Sequence, residues 1–505
     1  MARINVTDLT FCYEGSFDNV FENVSFSIDT DWKLGFIGRN GKGKTTFLNL
    51  VRGKYEYKGS INIPVETGYF PYNIDGNMLK ICAADFMEDL KPGCEQWRVI
   101  CELDKLNVSA EVLYRPFNSL SHGERTKVLL ALLFSGENDF LLVDEPTDHL
   151  DYEARESVKE YLRKKKGFIL VSHDRDLLDA CIDHVLVLNR KSIEVQSGNF
   201  SSWWENKTRK DNFSRMENKK HLQEIASLEK AVKQCKQWAN KNESTKIGYD
   251  PIKEHDRSMG TRAYIGAKTK KMQKRVKQYE QRIDHEIKEK EGLLKDIENP
   301  VELKIKPLVY HKDILVSARD FTMGYTQDSP LVHNFNFKIG RGERVFLNGK
   351  NGCGKTSFIK AILNLYNKED SNIISSGQLD IGSGLVVSYI NQDTSFLKGT
   401  IKEFCAQKGL EESLFCAILR QLDLERVQFV KPFEDYSEGQ KKKVLIAASL
   451  MTPAHLYIWD EPLNYIDVFT RIQLEELLLE FKPSMILVEH DVRFQEKIAT
   501  RIVNI

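Results

Sequence analysis

Short, uninterrupted apolar runs recur at matching places in the two halves of the chain. The first half carries KLGFI (Lys33 to Ile37), FLLVDE (Phe140 to Glu145) and FILVSHD (Phe168 to Asp174); the second carries RVFL (Arg344 to Leu347), LYIWDE (Leu456 to Glu461) and MILVEHD (Met485 to Asp491). Runs of four or five apolar residues ending in polar groups are the pattern of strands buried on both faces, as in the parallel sheet of an α/β fold. Between the halves the period changes. Phe213, Met216, Leu222, Ile225, Leu228 and Val232 recur at mostly helical spacings, and so do Met272, Val276, Tyr279, Ile283 and Ile287. Two amphipathic helices forming an antiparallel hairpin are predicted, with 242–266 as the tip, because Pro251 and three glycines interrupt helix there. The predicted organisation is therefore an α/β domain over 1–204, a helical linker over 205–300 and a second α/β domain over 301–505. A single helix from Lys207 to Lys241 would reach about 50 Å, more than joining two domains requires.

Composition narrows the class. With 505 residues, 41% of them apolar, the chain fills more than one core. The longest apolar run, Val128 to Phe134, is far below the roughly 18 residues of a membrane span, and the start MARINVTDLT has no signal-peptide core, so a cytoplasmic protein without membrane contact is expected. Nine cysteines form no C-x-x-C pair, which argues for reduced thiols rather than a zinc site or disulfide framework. Net charge is zero overall, yet Glu205 to Pro300 holds 24 basic against 16 acidic residues, and Arg257 to Tyr279 has eight basic residues and no acidic one. Such a run attracts polyanions.

The halves also repeat one set of chemical motifs. GRNGKGKT (Gly38 to Thr45) and GKNGCGKT (Gly349 to Thr356) follow predicted strands and match the phosphate-binding loop. There Gly38, Asn40, Gly41 and Gly43, and Gly349, Asn351, Gly352 and Gly354, let backbone N–H groups close around phosphate oxygens. Lys44 and Lys355 reach the β and γ phosphates, Thr45 and Thr356 take Mg²⁺, and Thr46 and Ser357 complete the ATP sites. Asp144 and Asp460 suit the Mg²⁺ shell; Glu145 and Glu461 are placed to act on the attacking water. His173 and His490 end further strands and point to a γ-phosphate. LSHGE and YSEGQ place Ser121, Gly123, Ser437 and Gly439, each serine lying 23 residues before its acidic pair.

These last motifs resemble the signature of ABC ATPases, in which ATP is sandwiched between the phosphate loop of one domain and the signature of the other. The resemblance implies two composite hydrolytic sites, with Tyr13 and Tyr325 stacking on adenine. Two fused cassettes carrying DEPTDHLD and DEPLNYID resemble the ABC-F family of translation-associated ATPases over essentially the whole chain. Within it, the likeness is to the Lsa and Vga type of antibiotic-resistance ribosome protection protein: no sizeable insertion separates the first loop from its signature, the linker is long, and only about fifteen residues follow His490.

That resemblance implies a monomer whose ATP-bound closed form enters the exit site of the bacterial ribosome and turns the hairpin towards ribosomal RNA, the peptidyl-site tRNA and a bound lincosamide, pleuromutilin or streptogramin A. Met259, Arg262, Tyr264, Ile265, Lys268, Lys270 and Lys271 would form the contacting tip; the alternative is a solvated spacer. A translation factor relieving stalled ribosomes shares every motif. An exporter ATPase would leave the hairpin without a job, and a DNA-repair ABC protein would call for a longer hairpin with a cysteine pair.

The family's glutamine after the strand that follows the first helix, expected in the Mg²⁺ shell, is present as Gln392 in YINQD, but Tyr72 stands there in YFPYN, with Asn73 beside it. Asp148 replaces the asparagine kept at Asn464. His122 stands where the signature prefers glycine, as does Glu438, so both side chains are expected to turn away from phosphate. Unequal ATP sites follow.

Overall fold

The computed structural model describes residues 2–14, 19–136, 139–148, 150–189, 192–244, 270–271, 274, 277–278, 281–283, 303–326, 330–350, 352–368 and 372–505. They fall into two compact units, Met1–Trp203 with Val301–Ile505, and Trp204–Pro300. No helix among the described residues is long and apolar enough to cross a membrane, and the described cysteines are free.

The first unit holds one architecture twice. In the first half, β1 (Arg3–Phe11), β2 (Phe21–Asp29) and β4 (Lys58–Asn62) form an antiparallel sheet in the order β2-β1-β4. Strands β3 (Lys33–Ile37), β5 (Thr67–Phe70), β6 (Phe140–Asp144), β7 (Phe168–Val171), β8 (His184–Leu188) and β9 (Ile193–Ser197) form a second sheet in the order β5-β6-β7-β3-β8-β9, with only the β8/β9 pair antiparallel. The second half repeats this with β10 (Ile314–Gly324), β11 (Pro330–Gly340) and β13 (Ile374–Ile381) ordered β11-β10-β13. Its parallel sheet is β14-β15-β16-β12-β17, from β12 (Arg344–Asn348), β14 (Val387–Ile390), β15 (Leu456–Asp460), β16 (Met485–Val488) and β17 (Arg501–Asn504).

The apolar runs are the middle strands of these parallel sheets. Four of five side chains in β6, and all five in β15, are buried. Parallel register sets Asp144 beside Val171 and Asp460 beside Val488, so the acidic pairs and the histidines leave the sheets at one edge. Helices α1 (Lys44–Val51), α2 (Ala83–Leu90), α3 (Gln96–Lys105), α4 (His122–Leu133), α5 (Tyr152–Arg163) and α6 (Arg175–Cys181) complete the first half. Phe47 of α1 packs edge-on to Phe21 and Phe36, joining the antiparallel sheet to the parallel one and fixing the helix behind the phosphate loop.

Helix α7 spans Phe200–Ser244, 45 residues or about 65 Å. It starts seven residues before Lys207, the start of the expected helix, because Asn199 accepts the Ser202 N–H (3.0 Å) while Phe200 and Trp203 are buried, Trp203 edge-on to Phe469. The predicted apolar stripe is only partly covered: Ile225 and Ile283 are buried, whereas Phe213, Met216 and Leu222 are more than half exposed. Lys270 and Lys271 are helical and exposed. The tip residues Met259, Arg262, Tyr264, Ile265 and Lys268, and the loop residue Asn351, lie outside the described residues.

In the second half, α8 (Lys355–Asn367), α9 (Ile401–Lys408), α10 (Glu412–Gln421), α11 (Glu438–Met451), α12 (Val468–Phe481) and α13 (Val492–Ile498) occupy the matching places. Phe358 of α8 repeats the wedge of Phe47 against Phe335 and Phe337.

Candidate functional site

The two glycine-rich loops form closely similar cradles. Gly43 and Gly354 sit at φ 110° and 105°, a left-handed conformation that side chains rarely adopt, and a Cβ at Gly43 would lie 2.6 Å from Val20. Neither α1 nor α8 has a side-chain cap, so their first N–H groups remain as donors pointing into the loop. Lys44 Nζ donates to the carbonyls of Gly38 (2.7 Å) and Arg39 (3.3 Å) and to Asn40 Oδ1 (3.1 Å); Lys355 Nζ donates to the carbonyls of Gly349 (2.7 Å) and Lys350 (3.0 Å). Burial, countered by Asp467 and Glu145, lowers the Lys44 pKa. Both tyrosines expected at adenine lie beside these helices with their rings about half exposed: Tyr13 Oη meets Thr46 Oγ1 at 2.6 Å, and Tyr325 Oη meets Ser357 Oγ at 3.1 Å.

The acidic pairs lie at the same edge but in different surroundings. Glu145 and Glu461 both have φ 48°, which aims each carboxyl forward off its strand. In the second half, Glu461 Oε2 accepts hydrogen bonds from Gln392 Nε2 (2.8 Å) and Asn464 Nδ2 (2.7 Å), and His490 Nε2 is 3.7 Å from Oε1. Burial would raise its pKa, but these neighbours outweigh burial and hold it below the usual carboxylate range. In the first half, among the described residues, Glu145 Oε2 accepts the backbone N–H of His173 (3.2 Å), and Oε1 is buried without a hydrogen-bond partner. Burial and the neighbouring Asp148 and Asp144 push its pKa well up. His173 Nε2 lies 3.4 Å from Glu145, but burial and the positive Lys44 and Arg471 lower the imidazole pKa strongly and keep the ring neutral. In the second half Glu489 takes over the backbone task, accepting the N–H groups of Leu463 (2.7 Å) and His490 (3.0 Å) and leaving Glu461 to its side-chain donors.

The substituted positions resolve as follows. Tyr72 is partly buried beside Cys94 and Asp139, and Asn73 is exposed. The polar contact to Asp144 comes instead from Tyr69 Oη (3.3 Å) and from Thr45 Oγ1 (3.2 Å), while Arg52 lies 4.1 Å above the Tyr69 ring. Asp460 is fully buried, and neither of its oxygens meets a hydrogen-bond geometry among the described residues, although Thr356 stands beside it; burial raises its pKa to about 6. An orphaned carboxylate next to a hydroxyl is a pair of hard-oxygen donors, which fits Mg²⁺ shared with substrate phosphates. His122 is exposed, and Glu438 folds back onto Thr394 and Lys441 (3.2 Å).

The signature serines begin α4 and α11. Ser121 and Ser437 each close a capping box with Glu124 and Gln440. Gly439 has to be glycine because a Cβ would lie 2.7 Å from the Tyr465 carbonyl; at Gly123 the nearest atom would be Ala154 Cβ at 3.4 Å.

Each phosphate loop faces the other half. Asn40 Nδ2 donates to the Tyr465 carbonyl (2.7 Å), and Arg39 and Lys42 pair with Asp423 (2.8 Å) and Glu425 (2.7 Å). On the opposite side Lys350 pairs with Glu153 (3.0 Å), and Arg155 Nη1 donates to the His490 carbonyl (3.3 Å). Sequence reading passed over these cross-half partners, and also Asp467, which is buried against Lys443 at 3.2 Å and acts electrostatically on Lys44. The one available signal was the repeated aspartate that closes DEPTDHLD and DEPLNYID.

The family model described as ABC transporter matches residues 21–148 and again 332–464. The chain belongs to the ABC ATPase family. It is 26% identical over 506 residues to the ribosome protection protein VmlR of Bacillus subtilis (strain 168), covering 97% of this chain and 85% of that one. It is 26% identical over 523 residues to the ATP-binding protein Uup of Buchnera aphidicola, covering 99% and 80%. Both matches run over nearly the whole of this chain. Among solved structures, the archaeal ribosome recycling factor aABCE1, in complex with stalk protein aP1, has the same tandem fold, with TM-score 0.58 at 19% identity over 98% of this chain and 87% of that one. The ATPase hydrolyses ATP with these two cassettes.

Proposed function

We propose that this ATPase is a monomeric, nucleotide-timed clamp that binds the bacterial ribosome in its closed, ATP-bound form and uses its linker near the peptidyl-transferase centre to displace large-subunit antibiotics. The clamp rests above all on one observation: each phosphate loop is met by the other cassette, at Asn40 and Tyr465 on one side and at Lys350 and Glu153 on the other. ATP bound at both loops would be touched by both cassettes, so its hydrolysis removes the interaction that favours closure.

Within each site Lys44 or Lys355 leaves its backbone carbonyls to meet the β and γ phosphates. Thr45 with Asp144, and Thr356 with Gln392 and Asp460, would hold Mg²⁺, which neutralises phosphate charge when bound. Glu461, ionised and fixed by two amide donors, orients the attacking water and takes its proton. Glu145 lacks both donors, so the first site is the slower one.

The ribosomal part is supported by the VmlR relative, named a ribosome protection protein, and by the acid-free basic run Arg257 to Tyr279, suited to RNA phosphates. Glu145→Gln/Glu461→Gln in ATP should cosediment with ribosomes; its absence from the ribosomal pellet contradicts the reading. The match to Uup, named only an ATP-binding protein, is as broad and carries no drug role, which supports a second reading, a translation factor without one. Expression in a sensitive host separates the two: the first requires a raised inhibitory concentration for a lincosamide, pleuromutilin or streptogramin A.

A further inference from the structure

Two buried polar positions beside the acidic pairs differ in kind between the halves. Glu489 directly follows β16 and precedes His490; Ser172 holds the same place before His173. Lys442 stands five residues after Ser437 in α11, and Thr126 follows Ser121 by the same interval in α4. All four side chains are buried. The second half therefore carries an anion and a cation where the first carries two hydroxyls.

The charged residues hold backbone on both sides of Glu461. Glu489 accepts the N–H of Leu463, two residues beyond Glu461, and that of His490, so one carboxylate staples the turn bearing Glu461 and Asn464 to the loop bearing the histidine. Lys442 Nζ donates to the Asn391 carbonyl (3.0 Å), and Asn391 Oδ1 accepts the Asp393 N–H (3.2 Å), so Gln392 stands between two anchored residues. Gln392 and Asn464 are the two amides that meet Glu461 Oε2. Burial lowers the Lys442 pKa, and Glu489, then Glu461 and Asp460, oppose that shift, so the surrounding carboxylates help to hold the ammonium where it stands. In the first half Ser172 Oγ accepts the Asp174 N–H (3.1 Å), and the His173 N–H goes to Glu145 itself (3.2 Å). There the acidic residue that faces the water also carries the backbone contact that Glu489 carries in the second half.

We infer that Lys442 and Glu489 are paired positioning residues for ATP hydrolysis at the second site: they fix the backbone from which Gln392 and Asn464 reach Glu461, and Thr126 and Ser172 leave Glu145 without that frame. Each acts through Glu461 rather than on the reacting atoms. A base that must meet one water at one angle loses rate when its supports drift, even where nucleotide still binds. The inference rests on the reading of Glu461 as the base.

The test uses the full chain carrying Glu145→Gln, so that hydrolysis reports the second site, and follows single-turnover hydrolysis with Mg²⁺ and ATP over a range of protein concentrations. Lys442→Thr/Glu489→Ser installs the pair with which the first cassette already folds. It should lower the maximal rate at least about tenfold and leave the half-saturating concentration within about twofold. Glu489→Gln, which keeps the shape and one acceptor, should lower the maximal rate about threefold, and it tests the inference even if the double substitution fails to fold. Because the two residues serve one carboxylate, the losses from Lys442→Thr and Glu489→Ser, multiplied, should exceed the loss in the double variant. A smaller fall in the maximal rate of the double variant, a matching fall in affinity, or an unchanged rate in Glu489→Gln overturns the inference. Hydrolysis that survives Glu461→Gln in the same background instead contradicts the reading of Glu461 as the base.

Discussion

The two ATP sites share their loops, strands and backbone conformations and differ in the groups around one carboxylate. Glu461 is held by Gln392, Asn464 and the nearby His490; Glu145 has Asp148 and Asp144 for neighbours and one oxygen unsatisfied. A general base has to be ionised and aimed, and the second site supplies both conditions with neutral amides. The first site replaces an amide with a like charge and sends Tyr72 into the protein. A duplicated fold can thus keep both nucleotide cradles while concentrating catalysis in one.

The largest expected effect concerns the interface. Glu475→Ala leaves Arg175 buried without its main partner and should cost ~3–5 kcal/mol in chemical denaturation, whereas Lys159→Ala, at the mate of that position in the repeat, should cost less than about 1 kcal/mol. Equal losses would break the distinction between the two positions. Next, Asp148→Asn removes the charge facing Glu145 and restores the missing amide. One hydrogen bond to a charged group contributes roughly 1.5 kcal/mol, so hydrolysis at the first site, isolated in a Glu461→Gln background, should rise about tenfold; an unchanged rate would place the defect elsewhere. The reciprocal Asn464→Asp should slow the second site by a similar factor. The smallest effect sharpens the comparison by its sameness: Ser121→Ala and Ser437→Ala each remove a capping box and should each lower stability by about 1 kcal/mol, confining the inequality to the carboxylates.

Much of this was legible before any coordinates. Glycine loops, apolar strands ending in acids, and capping serines are local patterns, and GRNGKGKT and FLLVDE fold where their spacing predicts. The altered position at Tyr72 was visible too, but not its direction, towards Cys94 and Asp139. The partners of Arg39, Asn40 and Arg175 lie 300 or more residues away in the chain, so only the packing of one cassette on the other reveals them. The start of α7 was missed for a similar reason: Trp203 belongs to helix by hydrogen bonding and to the cassette core by burial.

The central claim is that catalysis is concentrated at Glu461. Single-turnover ATP hydrolysis by Glu145→Gln and by Glu461→Gln, each saturated with Mg²⁺ and ATP, tests it directly. Glu145→Gln should keep most of the wild-type rate and Glu461→Gln should lose most of it; equal residual rates, or the reverse order, would contradict the account.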